Sequence, residues 1–119
     1  MRARLVPELL VSDIGRSLAF YLGVCGWRVL WQRPAEGFAY LEREGAELML
    51  EEPRGRTFLA GPLEHPYGRG MNLQIQVSDV DTLHDAVLAA GLMPLLALEG
   101  VEQAGLLGRA WDALRLWIK

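Results

Sequence analysis

From Met71 to Val77 the chain alternates without a break: Met71, Leu73, Ile75 and Val77 are apolar, and Asn72, Gln74 and Gln76 are polar amides. A period of two places successive side chains on opposite faces of a strand, so this segment predicts one face on a core and one facing something wet. It runs into Val77-Ser78-Asp79-Val80, after which Leu83, Val87 and Ala90 recur at helical spacing until Gly91. The same order of events occurs 66 residues earlier. Strand formers fill residues 4–11, Val11-Ser12-Asp13-Ile14 closes them, and Ile14, Leu18, Tyr21, Leu22 and Cys25 form an amphipathic stripe that Gly26 ends. In each copy Ser or Asp is placed to cap the helix, with a carboxylate at its positive end. Pro7 inside the first strand predicts an edge position, or a strand that leaves one sheet for another.

Three further runs, at 27–33, Phe38–Arg43 and Ala46–Glu51, read as strands. Pro34-Ala35-Glu36-Gly37 and Glu44-Gly45 separate them, the second short enough for a tight hairpin. Residues 53–70 have no steady period and carry Pro53, Pro62 and Pro66 with four glycines, which marks a crossover loop. Beyond Gly91 the pattern gives a weak strand at 93–98, containing Pro94, and a final strand at 113–119. The path of 99–111 stays undetermined.

Carrying the 66-residue offset further, Leu48 and Leu50 fall on Leu114 and Leu116, and Leu41 and Arg43 on Leu107 and Arg109. Glu47, Met49 and Glu51 then share a phase with Ala113, Arg115 and Trp117, and Gly26 meets Gly91 at an offset one residue shorter. The chain is therefore read as one α+β domain over 1–119, built from two βαβββ modules at 1–52 and 71–119 joined through 53–70. A half of under about 60 residues is marginal alone, so the modules are expected to depend on each other. Their polar sheet faces fit curved mixed sheets around a shared cavity, and equally a two-layer ferredoxin-like domain whose polar face meets water. Periodicity leaves both open.

Composition narrows the function. A net charge of −3 and a pI near 5.3, without clustered Lys and Arg, argue against a nucleic-acid groove. Cys25 is the single cysteine, which excludes an internal disulfide, and its place on the apolar stripe predicts a buried, inert thiol. Pro7 and Glu8 interrupt the apolar run behind Arg2 and Arg4 before a signal sequence would be complete, and nothing approaches a membrane span. A cytoplasmic protein with no membrane partner is expected. Two histidines, His65 in the crossover loop and His84 on the second helix, read as a loop residue and a surface residue. No Ser/His/Asp spacing or phosphate-cradling glycine loop is present.

The stretch Pro7-Glu8-Leu9-Leu10-Val11-Ser12-Asp13-Ile14-Gly15-Arg16-Ser17-Leu18-Ala19-Phe20-Tyr21, with Gly26-Trp27 after it, resembles the opening of the glyoxalase/bleomycin-resistance/dioxygenase (vicinal oxygen chelate) superfamily. Phe38-Ala39-Tyr40-Leu41, the segment Ala46 to Pro53, and Gly68 to Val80 resemble its bleomycin-resistance branch. The resemblance spans roughly 5–92 and implies paired βαβββ modules, a homodimer, and curved sheets around a cavity. In metal-dependent members four His or Glu ligands lie on the first and last strand of each module. Those positions here are Val6, Met49, Asn72 and Arg115, a set with no use for a divalent ion, so neither a metal nor another cofactor is expected. In place of the family's Asp-Pro-Asp-Gly turn the chain has Gly108-Arg109-Ala110-Trp111-Asp112-Ala113.

The cavity-facing phase holds Val6, Glu8 and Leu10, then Glu47, Met49 and Glu51, then Asn72, Gln74 and Gln76. Its three carboxylates either attract a cationic ligand or form a solvated sheet face. Trp31, Phe38 and Tyr40 on adjacent strands, with Trp111 and Trp117 near the end, supply flat apolar surface either for a planar ligand or for packing, and Trp27 reads as core. The candidate ligand-binding set is Glu8, Trp31, Phe38, Tyr40, Glu47, Met49, Glu51, Asn72, Gln74, Arg115 and Trp117, with no catalytic residue assigned. Together with the resemblance to bleomycin-resistance proteins, these features favour a homodimeric protein that sequesters a cationic or aromatic small molecule, such as a glycopeptide antibiotic, without changing it. The rival is a metal-dependent lyase, thiol transferase or dioxygenase with unusual ligands such as Glu8, Glu47 or His65.

Overall fold

The computed structural model describes residues 3–54, 58–65, 67–68, 70–92 and 113–117. The chain forms two compact units that divide between Gly70 and Met71. The first unit runs β1 (Glu8–Leu10), α1 (Ile14–Leu18), a π-helical turn (Ala19–Val24), β2 (Arg28–Arg33), a 3₁₀ turn (Pro34–Glu36), β3 (Phe38–Arg43) and β4 (Ala46–Glu51). Its four strands lie in the order β1-β4-β3-β2, with β1 parallel to β4 and the other pairs antiparallel. This is a mixed sheet in an α+β arrangement, in the βαβββ order that the repeat predicts.

Strand β1 is shorter than the apolar run suggested, and Pro7 is the reason. Proline has no N–H for a ladder, so pairing begins after it, on an edge strand; the Pro7 carbonyl still accepts from the Met49 N–H at 2.9 Å. The stripe from Ile14 to Cys25 is not one uniform helix. It widens at Ala19, so that the Cys25 N–H donates to Phe20 five residues back at 3.0 Å. Gly26 at φ 72° then lets the Trp27 N–H reach the Tyr21 carbonyl at 2.9 Å. Tyr21, Cys25 and Trp27 are buried, and Trp27 meets Tyr21 edge to face at 5.9 Å.

The helix-side face of the sheet is apolar. Leu9, Ala39, Leu41, Leu48 and Leu50 are each no more than 3% exposed, and register places Leu50 between Leu9 and Ala39, and Leu41 between Leu48 and Val29. The Glu44-Gly45 hairpin closes with both residues at positive φ, 48° and 88°, the twist that a two-residue connection requires.

In the second unit β5 (Asn72–Gln76) pairs antiparallel with β6 (Ala113–Trp117), and α2 (Val80–Ala89) follows β5. The alternation holds: Gln74 and Gln76 are exposed, Leu73 and Ile75 half-buried, and Val77 buried, though Met71 is 43% exposed and lies outside the strand. Leu83 and Val87 are the buried residues of α2, and Ala90, which shares their helical spacing in the sequence, is exposed because it lies past the last turn of the helix. The weak strand at 93–98 and the segment 99–111 lie outside the described residues. The two Val-Ser-Asp segments use the aspartate as cap. Asp13 accepts from the Arg16 N–H at 3.1 Å and Asp79 from the Thr82 N–H at 3.0 Å, while both serines are exposed. Among the described residues no helix is long and apolar enough to cross a membrane.

Candidate functional site

The face of the four-stranded sheet opposite the helix carries the chemistry, and the strand register arranges it in rows. One row across β2, β3, β4 and β1 reads Arg33, Phe38, Glu51 and Leu10. The next reads Trp31, Tyr40, Met49 and Glu8. A third holds Arg28, Glu42 and Glu47, with Arg28 Nε 2.5 Å from Glu42. Seven sequence-expected site residues, Glu8, Trp31, Phe38, Tyr40, Glu47, Met49 and Glu51, thus share one face.

Trp31 reaches this face because β2 is bulged. Val29 pairs with Leu41 on the helix side and Trp31 pairs with Tyr40 on the other, so Leu30 is the extra residue between them. Trp31 is 48% exposed; its ring stacks near-parallel to Tyr40 at 6.0 Å and leans on Phe38 at 5.1 Å. Phe38 and Tyr40 are buried beneath it. The Arg33 guanidinium carbon sits 5.1 Å from the Trp31 ring centre and 4.9 Å from that of Phe38, a cation over two aromatic faces.

Glu8 and Glu51 meet beside this wall. A hydrogen bond between two carboxyl groups requires a proton on one of them, and that bond is the main reason the Glu51 carboxyl is pushed up to about 7. Burial and the neighbouring Glu8 charge act in the same direction, and Arg33 opposes them. Glu47 is different from the solvated acid its alternation allowed. It is 5% exposed, accepts from the Ala3 backbone N–H, and lies near the buried Tyr40 hydroxyl. Burial first, and then the Glu47 charge, raise the Tyr40 pKa, while the hydroxyl does not reach full hydrogen-bond geometry with any partner among the described residues.

The other four expected residues lie in the second unit, where register pairs Asn72 with Trp117 and Gln74 with Arg115 on one face of the β5–β6 ribbon. Trp111 lies outside the described residues. His65 is exposed and stacks on Tyr67 at 4.4 Å, and His84 is half-buried on α2. Among the described residues no three His, Cys, Asp or Glu side chains group as metal ligands, and the positions that the superfamily resemblance assigns to metal ligands carry Val6, Met49, Asn72 and Arg115. An aliphatic side chain, a thioether, an amide and a guanidinium do not fit a hard divalent ion.

Sequence reasoning missed Arg33, although its phase two residues beyond Trp31 and opposite Phe38 was there to be read. It also missed Glu52, whose Oε1 accepts from the Ile14 N–H at 2.7 Å and so helps Asp13 to hold the start of α1. That N–H is the main cause of the lowered Glu52 pKa. Nothing in local patterning announces a contact across 38 residues. Cys25 is buried as expected; burial pushes its thiol up to about 11, opposed by Arg43, whose guanidinium donates to the Cys25 carbonyl.

Comparison with known proteins bears on the chain's fold and family. A glyoxalase/bleomycin resistance protein/dioxygenase superfamily member from Vibrio splendidus 12B01 is 42% identical over 38% of this chain and 39% of that chain, with a TM-score of 0.37. TioX from Micromonospora sp. ML1 is 25% identical and superposes over 82% of this chain and 79% of that one, with a TM-score of 0.60. An integron cassette protein from the Halifax Harbour sewage outfall metagenome is 14% identical over 80% and 78%, at a TM-score of 0.49. No curated protein matches the chain. The model of the Glyoxalase/Bleomycin resistance protein/Dioxygenase superfamily matches residues 4–99, and the chain belongs to that superfamily.

Proposed function

We propose that this superfamily member is a non-catalytic binding protein of the bleomycin-resistance kind, holding a cationic, aromatic small molecule against the face of β1–β4 that carries Trp31 and the Glu8–Glu51 pair. The observation that carries the reading is the juxtaposition in adjacent rows of a half-exposed indole and a carboxyl pair. The indole and its Phe38–Tyr40 backing give a planar ligand a flat apolar surface, and the carboxyl pair gives its positive charge a counter-ion at the rim. The residues at the family's metal positions support binding without metal chemistry. Enclosure of the ligand belongs to the proposal, either in a cavity of the paired modules or where two copies of the chain meet as a homodimer.

Calorimetric titration with a bleomycin-type glycopeptide at pH 7.5 tests it. The expected result is saturable, micromolar binding that Glu8→Gln and Glu51→Gln both weaken. Absence of heat at high micromolar concentration removes that ligand. Stoichiometric Fe, Mn, Ni or Zn in protein purified without chelator overturns the metal-free reading.

A further inference from the structure

Arg33 is a cation already lying where a cationic ligand is expected to lie. It stands at the end of the row that continues through Phe38 to Glu51, and its guanidinium covers parts of both the Trp31 and Phe38 faces. Guanidinium is planar and delocalised and stacks on aromatic rings, which a compact ammonium does not do as well. The seat is a loose one. The side chain is 52% exposed, β2 lies at the edge of the β1-β4-β3-β2 sheet, and among the described residues Arg33 forms an ion pair with the similarly exposed Glu36 at 3.3 Å. An exposed pair of this kind holds a side chain weakly.

We propose that Arg33 is a built-in surrogate ligand: it occupies the aromatic seat in the empty protein, and a planar cation takes its place against Trp31 and Phe38 beside Glu51. This rests on the binding reading above and deepens it by naming the ligand class, a planar delocalised cation such as a protonated amino-heteroaromatic or an amidinium. Arg33 then acts as a specificity residue. A neutral flat molecule gains little by displacing a stacked cation, while a planar cation replaces like with like and also takes up the carboxyl pair. An internal competitor lowers the apparent affinity by the fraction of time it is seated. For a cation–π contact of exposed strength, removing it tightens binding by roughly 3- to 6-fold. Loss of the local positive charge works in the same direction.

The probes are proflavine, a planar cation near neutral pH, and caffeine, a flat neutral molecule, titrated by tryptophan fluorescence into wild type, Arg33→Gln and Arg33→Lys. The glycopeptide titration runs in parallel. Expected are proflavine binding by wild type, a gain of about 3- to 6-fold in R33Q, a smaller gain in R33K, and no comparable gain for caffeine. Proflavine binding that R33Q weakens or leaves unchanged overturns the surrogate and makes Arg33 a ligand contact or a bystander. Glycopeptide binding with no proflavine binding by any variant overturns the planar-cation class and leaves the binding reading standing. Failure of both probes overturns both.

Discussion

Replacing Trp31 by alanine separates a binding surface from a packing residue. The indole is 48% exposed. Taking about 250 Å² for a whole tryptophan, some 120 Å² remains for a ligand, and a ligand covering one face takes about half of it. At about 25 cal/mol per Å² that contributes about 1.5 kcal/mol, and a cationic ring adds about 0.5 kcal/mol at an exposed site. The sum of about 2 kcal/mol is a loss of roughly 30-fold in affinity for the glycopeptide. The packed half of the ring, resting on Phe38 and Tyr40, also contributes to stability, at most about 3 kcal/mol on the same conversion. Leu41→Ala is the control. Leu41 is 0% exposed on the opposite face of β3, and its truncation costs about 3 kcal/mol through lost transfer energy and a cavity. For 119 residues that cost corresponds to about a 12 °C fall in Tm. Calorimetry at 15 °C, with circular dichroism confirming that both variants are folded, is expected to show the 30-fold loss in W31A only. Equal affinities for the two variants would refute the assignment of Trp31 to a binding face.

Three further outcomes follow from the geometry. The folded Glu51 carboxyl titrates near 7 against an ordinary value of 4.5, so the folded protein binds more protons in between. Stability therefore falls as pH rises from about 4.5 through 7, and Tm measured at pH 5 to 8 flattens in Glu51→Gln; parallel curves would contradict the Glu8–Glu51 bond. Cys25, buried and raised to about 11, stays unreactive to a thiol reagent at pH 8 until denaturant is added, and rapid native labelling would contradict its burial. Gly37 adopts φ 64°, and an added Cβ would lie 3.1 Å from the Glu52 Cβ, so Gly37→Ala costs about 1 to 2 kcal/mol, read as a Tm lower by about 4 to 8 °C. An unchanged Tm would contradict the left-handed turn.

Much of the first unit was legible because its signals are local. Alternation placed β3 and β4 to the residue, Glu44-Gly45 announced the hairpin, and the doubled Val-Ser-Asp segment located both helix starts. What patterning hid was departure from a regular period. The bulge at Leu30 moves Trp31 to the face opposite Val29, which simple alternation would not do, and the π-helical turn interrupts the stripe that reads as one helix. Alternation also says which face a side chain takes, and not what it meets there. Glu47, Glu51 and Glu8 share a phase, yet one is buried against a backbone N–H and the other two are bonded to each other. Arg33 was overlooked because a cation in an acidic phase looks like a surface residue until two rings are found beneath it.

Equilibrium dialysis of the protein against a bleomycin-type glycopeptide, with mass spectrometry of the ligand from both chambers, tests the central claim most directly. Binding without chemistry predicts an excess of ligand on the protein side and an identical mass on both sides after prolonged incubation. Equal concentrations across the membrane, or a second mass that grows with time in the presence of protein, would contradict it.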